Sequence, residues 1–584
     1  MTLRLLRQRP LVRVFSVAAF LSIVLLAAGC RGPLVLGSGA HTTDQGTVEE
    51  TRNPQVARYT IRPHAPATVS VDFGPTSFYG LTTWAVPADG THPVSLLVAG
   101  MRAGTTYHLR ARVHFRDGMT LADSDHPFTT GRSSAHLLPR LTVKTSDAAQ
   151  RGVELLNPSI GSGAQAVVTD LHGNVLWLYN YGDRESPSLV QAYKYRHAAY
   201  LTLVAWCHWV QTLFGKHFAT QPKLWDAKMW KLPPPERRFA TIINPVKLLP
   251  NGDFLMVIGL ASHALVDSPD GMPPPDTTIV LREVDLTGRI VRNITIDELN
   301  QRLRTSGYRG PVLQILHHDV EPLPNGHVIV IANATRNYTD LPGDPGTTRV
   351  IGDILVELDA NFNPVWTWSE FDHLDINRHP MDFPDWTHTN AVLYTRDDGN
   401  LIVSMRSQHW VIKIDYRNGQ GSGSILWRLG NDGDFRLING TTPTDWNYGQ
   451  HEPVIFSDRD AGVFDLGMMD NGNDRVFPDG KVCGAKDAPK CYTTVPIYRI
   501  DERAHTATLV FHDVFRDVFS MWGGGVQSLA NGDVQIDLCN VQHDSDVVEV
   551  TPTSQPQTVW SLHAARTNVY RAERLPSLYP GVAW

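Results

Sequence analysis

Cysteine is scarce in this chain, five residues among 584, too few for a disulfide scaffold of this size. An excess of charge of one sign is missing as well. Lysine and arginine number 52 against 59 acidic residues, a net charge of −7, which leaves no basic surplus for a phosphate backbone and excludes nucleic acid as the main partner. Charged residues are only 19% of the chain and hydrophobic ones 42%, which rules out disorder as the main state. What is abundant is tryptophan (15), proline (39) and glycine (46). Many turns joining short aromatic-bearing strands have that composition.

One apolar run stands apart at the amino terminus. Arg4, Arg7, Arg9 and Arg13 precede an apolar stretch from Val14 to Ala28 that ends in Gly29-Cys30. A basic region, an apolar region and small residues before a cut are the parts of a secretory signal, so the chain is expected to be exported. Leu-Ala-Ala-Gly-Cys resembles a bacterial lipobox, which implies a lipidated Cys30 and attachment to a membrane by that lipid, in the periplasm or on the outer cell surface. An ordinary cleaved signal and a single membrane anchor are the alternatives; the run is short for a span of about 20 residues. Residues 31–54, rich in Gly, Ser and Thr, read as a flexible tether.

Beyond the tether, residues 55–131 alternate as strands do, in Ala57–Ile61, Ala67–Val71 and Tyr107–Val113. The stretch VAGMRAGTTYHLRARV followed by FTTG resembles a fibronectin type III module, so a small β-sandwich is expected there. Residues 132–584 repeat a different unit: a hydrophobic strand, an acidic residue, a turn, and a second strand often bearing tryptophan. It occurs at Val168-Thr169-Asp170 with Trp177, Val284-Asp285 with Ile290, and Leu358-Asp359 with Trp366. It recurs at Ile414-Asp415 with Trp427, Ile500-Asp501 with Val510, and Val550-Thr551 with Trp560. A companion turn precedes several copies, at Asn251-Gly252, Asn325-Gly326, Gly399-Asn400 and Asn531-Gly532. Each pair is a meander of about four strands that buries its faces only against neighbouring copies. Six copies closing on themselves predict an all-β, six-bladed β-propeller. Residues 188–236 interrupt the pattern with a crowd of aromatics, Tyr193, Tyr195, Tyr200, Trp206, Trp209 and Phe214, and read as a helical insertion. A packed hairpin, a lid and a contact with a lipid surface all fit it.

Four segments place chemistry just before or on repeat strands, where successive copies converge on a channel. They are LHHDVEPLPNGH (316–327), DWTHTNAV (385–392), SMRSQ (404–408) and NYGQHEPV (447–454). The Asp-Trp-x-His-x-Asn segment, with an arginine 18 residues after its histidine, together with the Gln-His segment and the Asp-Asn-Gly run at 470–472, resembles the bacterial aryl-sulfate sulfotransferases. These exported enzymes move sulfuryl groups between phenols without an activated nucleotide donor. The resemblance spans residues 55–584. It implies an aryl sulfate donor, a phenolic acceptor, no cofactor and no metal. By the same resemblance His451 is the nucleophile and His318 a sulfuryl-binding histidine, with His388, Asn390 and Arg406 completing the site. A homodimer is implied by the resemblance alone.

These residue types suit the reaction. A neutral imidazole nitrogen can carry a sulfuryl group as sulfohistidine, a guanidinium fork can hold its oxygens, and another histidine can protonate the leaving phenolate. The chain departs from the family in lacking a close cysteine pair ahead of the nucleophilic histidine. Its nearest pair, Cys483 and Cys491, follows His451 and in an exported protein is expected to form a disulfide. Two rival readings remain at this point. His317, His318, Asp319 and His388 are metal-ligand types, as in a metal-dependent hydrolase, although Arg406 close by would repel a cation. A non-catalytic surface propeller that binds ligands or partners is the other.

Overall fold

The computed structural model describes residues 41–132, 138–160, 164–180, 239–242, 245–261 and 278–584. The signal segment with Cys30, the start of the tether and the 188–236 insertion lie outside the described residues. The fold is all-β, with one ten-residue α-helix, Ile296–Thr305, among the described residues.

Two sheets form from residues 47–129. Thr47–Glu50, Ala57–Ile61 and Val94–Val98 make one of three strands; Ala67–Gly74 and Thr106–Phe115 are the long partners in the other. Tyr59, Val69, Val71, Phe73, Leu109 and Val113 bury between them. This corrects the tether: residues 47–50 are a strand. Ala57–Ile61 offers an open edge, Val48 packs on the core, and the Gly46 N–H donates to Asp123 at 2.8 Å. A tally of small polar residues does not register a partner waiting across a turn.

Six further sheets follow in chain order among the described residues, each with a core of four antiparallel strands. The first holds Val153–Ile160, Ala166–Thr169 and Val175–Tyr179, and its fourth strand is Asn568–Leu575 from the far end of the chain. The second is built on Phe254–Ala261 and Thr278–Val284, the third on Val328–Leu341 and Asp344–Leu358, and the fourth on Leu401–Met405 and Trp410–Ile414. Val463–Met469 with Thr493–Asp501, and Val534–Val541 with Asp544–Val550, centre the fifth and sixth. The Asn-Gly turns join first to second strands, and the acidic repeats close the third strands, as their spacing predicts.

The repeated acidic residue and tryptophan have separate jobs. Asp170, Asp285, Asp359, Asp415 and Asp501 each accept backbone N–H groups from the turn they open, and Thr551 accepts from Gln557 in the same way. Such turns are stabilised by a side chain that replaces a missing backbone partner. The outer-strand tryptophans then reach the turn of the next sheet. Trp177 donates its indole N–H to Leu286 (2.7 Å), Trp368 to Gly423 (2.8 Å) and Trp427 to Glu502 (2.8 Å). Trp560 of the sixth sheet donates to Leu171 of the first at 3.0 Å, so the series returns to its start. In the third sheet the latch is Trp368, two residues beyond the expected Trp366, which packs on Tyr416 instead. Both side chains lie on the same strand face, and the turn geometry selects between them.

The inner edges are latched by side chains. Asp319 accepts the Val392 N–H and Glu321 the Tyr394 N–H, both at 3.1 Å. Asn390 donates to the Gln450 carbonyl at 2.7 Å, and Gln527 pairs with both the N–H and C=O of Arg574. An edge strand has a row of unpaired donors and acceptors, and here each neighbour supplies the partners. Lys247, 3.4 Å from Asp319, is held charged against the cost of burial by Asp319, Glu321, Glu452 and Glu573. Those carboxylates come from the inner strands of three different sheets, so the inner edges converge on one hub.

Candidate functional site

The inner strands are irregular where the site lies. Register slips between Leu316 and Val320, between Thr389 and Ala391, and between His451 and Val454. His318, His388 and Glu452 have φ of +62°, +48° and +46°, a left-handed conformation that non-glycine residues adopt at a cost of about 1–3 kcal/mol. A bulge of this kind re-aims a side chain that a regular strand would send to one face or the other. A regular strand would send the adjacent His317 and His318 to opposite faces; here the two rings meet edge to face, 4.6 Å apart.

All five residues singled out by the sequence converge. His388 Nε2 lies 3.1 Å from His318 Nε2. His318 and His451 flank one ring, Tyr570, with centroids 5.8 and 6.2 Å away. Asn390 is fully buried, donates to the carbonyl that precedes His451, and keeps its Oδ1 without a partner. Arg406 opens a short 3₁₀ turn; among the described residues its side chain has one hydrogen bond, to the Met381 sulfur at 3.8 Å, and its Nε has none. Burial weakens its hold on the proton somewhat, against the pull of Asp385 and Asp474.

The protonation state of His451 follows from its neighbours. Asn471 spends its two amide hydrogens on the Ser520 and Gly523 carbonyls (2.7 and 3.0 Å), so its Oδ1 faces His451 Nδ1 at 2.6 Å and accepts a hydrogen bond from the Nδ1–H. Nε2 is then the nitrogen with the lone pair, and the Gly523 N–H points at it from 3.3 Å. Burial first, then the charges of Arg406 and Arg571, push this histidine well below the usual imidazole range, and the Asn471 bond only partly opposes them. His318 is likewise pushed well down by burial and by the histidines around it.

The other histidines form a chain between two carboxylates. Asp385 contacts His388 Nδ1, His388 contacts His318, His318 contacts His317, and His317 Nε2 contacts Asp353 at 2.9 Å. The carboxylates at the two ends only accept, so each of these contacts needs an N–H. Burial works against the Asp385 charge, but the charge and hydrogen bond of His388 outweigh it and hold the carboxyl below its usual range. Asp385 thus orients the His388 ring through Nδ1 and turns Nε2 toward His318.

Sequence reasoning missed Tyr570, whose buried hydroxyl has no partner, and Arg571 beside it. Both lie on the last strand, which joins the first sheet only through closure of the chain; arginines at 571 and 574 within an apolar strand were the available signal. Asn471 belongs to the Asp-Asn-Gly run. Asp470 of that run forms a buried ion pair with Arg475 at 2.6 Å, and the Arg475 carbonyl accepts from the Cys483 N–H. Cys483 and Cys491 are disulfide-bonded, so the bond braces the loop that follows Asn471. As for metals, no group of three or more His, Cys, Asp or Glu among the described residues is arranged to hold an ion. Asp319 turns away from the histidines to Lys247 and the neighbouring strand.

A family model described as Arylsulfotransferase (ASST) matches residues 209–571. No curated protein matches the chain. Among solved structures, a putative 6-phosphogluconolactonase from Bacteroides fragilis is 10% identical with a TM-score of 0.30, covering 88% of this chain and 98% of that one. A Bacillus licheniformis rhamnogalacturonan lyase is 8% identical with a TM-score of 0.29, covering 95% and 91%. Neither superposes closely.

Proposed function

Because the chain belongs to the arylsulfotransferase family, we propose that it transfers a sulfuryl group from an aryl sulfate ester to a phenolic acceptor in two steps through His451, at the hub of a six-bladed β-propeller with a small fibronectin-like sandwich ahead of it. The observation that carries this reading is the Asn471 clamp, which leaves His451 neutral with its lone pair on Nε2. Nε2 attacks sulfur, the sulfur–nitrogen bond forms and the bond to the aryl oxygen breaks. In this reading His388 gives a proton from Nε2 to the departing oxygen, which leaves as phenol. His451 keeps its Nδ1 proton on Asn471. An acceptor phenol then attacks sulfur, returns a proton to His388, and the sulfur–nitrogen bond breaks.

Arg406 supports the same reading, since a buried guanidinium with no carboxylate bonded to it has donors free for sulfuryl oxygens. Charge on those oxygens shifts as the bond breaks, so fixed donors act mainly on the transition state. Export and lipid attachment at Cys30 belong to the proposal, as does a homodimer; the mass of the mature amino terminus and the sedimentation of detergent-extracted protein test them. The transfer itself is tested by quenching the protein with 4-nitrophenyl sulfate alone. One nitrophenol per chain should be released in a burst, with one added sulfuryl group on the peptide holding His451. A burst with the label on another residue overturns the His451 assignment, and absence of any release overturns the activity.

A further inference from the structure

Building on that reading, we propose that Arg571 and Glu452 form a positioning pair for the His451 imidazole. Arg571 lies on Asn568–Leu575, the strand that closes the first sheet. Its Nη1 is 2.8 Å from Glu452 Oε1, and its Nη2 donates to the Asn390 carbonyl at 3.1 Å. One buried guanidinium thus ties three inner strands together.

Glu452 is the residue after His451 and has a φ of +46°. Relaxing that backbone to the extended form would swing its carboxylate away from Arg571 and leave a buried cation unpaired. Breaking a buried pair in this way is far more costly than the local strain, so the ion pair holds the bulge that aims His451. The sixth sheet leaves room for it. A side chain at Gly525 would begin 1.6 Å from Glu452 Oε2, so only glycine accommodates the carboxylate there.

The pair also acts on charge. The groups facing His451 are Arg406 and Arg571, the histidines at 318 and 388, the Tyr570 ring and the neutral Asn471. Arg571 opposes a proton on His451, and Glu452 shields part of that effect. Removing each partner should therefore move the histidine in opposite directions, which a merely structural pair would not do.

The test is the pH dependence of C2–H exchange at each histidine, read by mass spectrometry on the full chain without substrate. In Arg571→Gln the His451 midpoint should rise by about half a pH unit or more, and in Glu452→Gln it should fall. A His451 midpoint unchanged in both overturns the proposal. Should Arg571→Gln not fold, Glu452→Gln decides alone, a fall supporting the pair and no change overturning it. Turnover of 4-nitrophenyl sulfate by the wild type is measured beside it. Failure there removes the sulfuryl reading, while the exchange midpoints still report on the pair.

Discussion

The long hairpin Val328–Leu341/Asp344–Leu358 and the inner strand Ile315–Pro322 share one sheet and follow different rules. In the hairpin, pairing runs without a slip from Val328 opposite Leu358 to Thr339 opposite Thr347. Val330 and Ala332 bury on one face, Ile329 and Ile331 on the other, each in a separate core between sheets. The inner strand slips its register, turns His318 into the left-handed region, and buries His317 and Asp319. The two hairpin strands are paired on both sides and fill both apolar faces, so they supply stability. The inner strand has one unpaired edge, and that edge is where polar side chains can be aimed and charges collected.

If this division is right, inner substitutions change rate and spare stability, and outer ones do the reverse. The largest effect is expected from His451→Ala, which should lower transfer by at least about 10⁴-fold with little change in melting temperature; kcat and a thermal melt on the same preparation check both halves. Trp177→Ala removes the ring stacked 4.3 Å from Phe254 and the bond to Leu286. It should cost about 3–5 kcal/mol of stability while kcat per folded molecule, from active-site titration, stays unchanged. A large loss of kcat in this variant would show that outer and inner strands are coupled. Arg406→Lys keeps the charge and loses the fork, so kcat should drop about 10²–10³-fold with the melting temperature held.

The smallest effect concerns pH and sharpens the contrast. His451 and His318 have folded pKa values pushed well below 6.5, whereas in the unfolded chain they titrate at about 6.5. Below that value the unfolded state binds more protons, so stability should rise with pH up to about 6.5 and level off above it. Denaturant melts between pH 5 and 8 should show this slope, and His318→Gln should flatten it. A slope of opposite sign would mean that these histidines are charged in the folded protein.

Much of the site was legible in the sequence because its motifs are local. Asp385, His388 and Asn390 lie within six residues, and the Gln450-His451 pair abuts a repeat strand. Tyr570 and Arg571 were not, since two arginines in an apolar strand are a faint mark and the site partners His451, Glu452 and Asn390 lie over a hundred residues away. Likewise the series Asp170 to Asp501 revealed the repeats through turns that each close within a few residues, yet whether Trp366 or Trp368 makes the latch depended on the position of the next sheet.

Short-range physics thus determined the strands, the turns and the repeat, because alternation, Asx turns and apolar runs act over a few residues whatever lies beyond. The tertiary structure alone decided which nitrogen of His451 is free and why Glu452 tolerates its backbone. Those properties are set by groups from separate segments, Asn471 and Arg571 among them. Burial at the hub gives their charges and hydrogen bonds a strength that they lack in water.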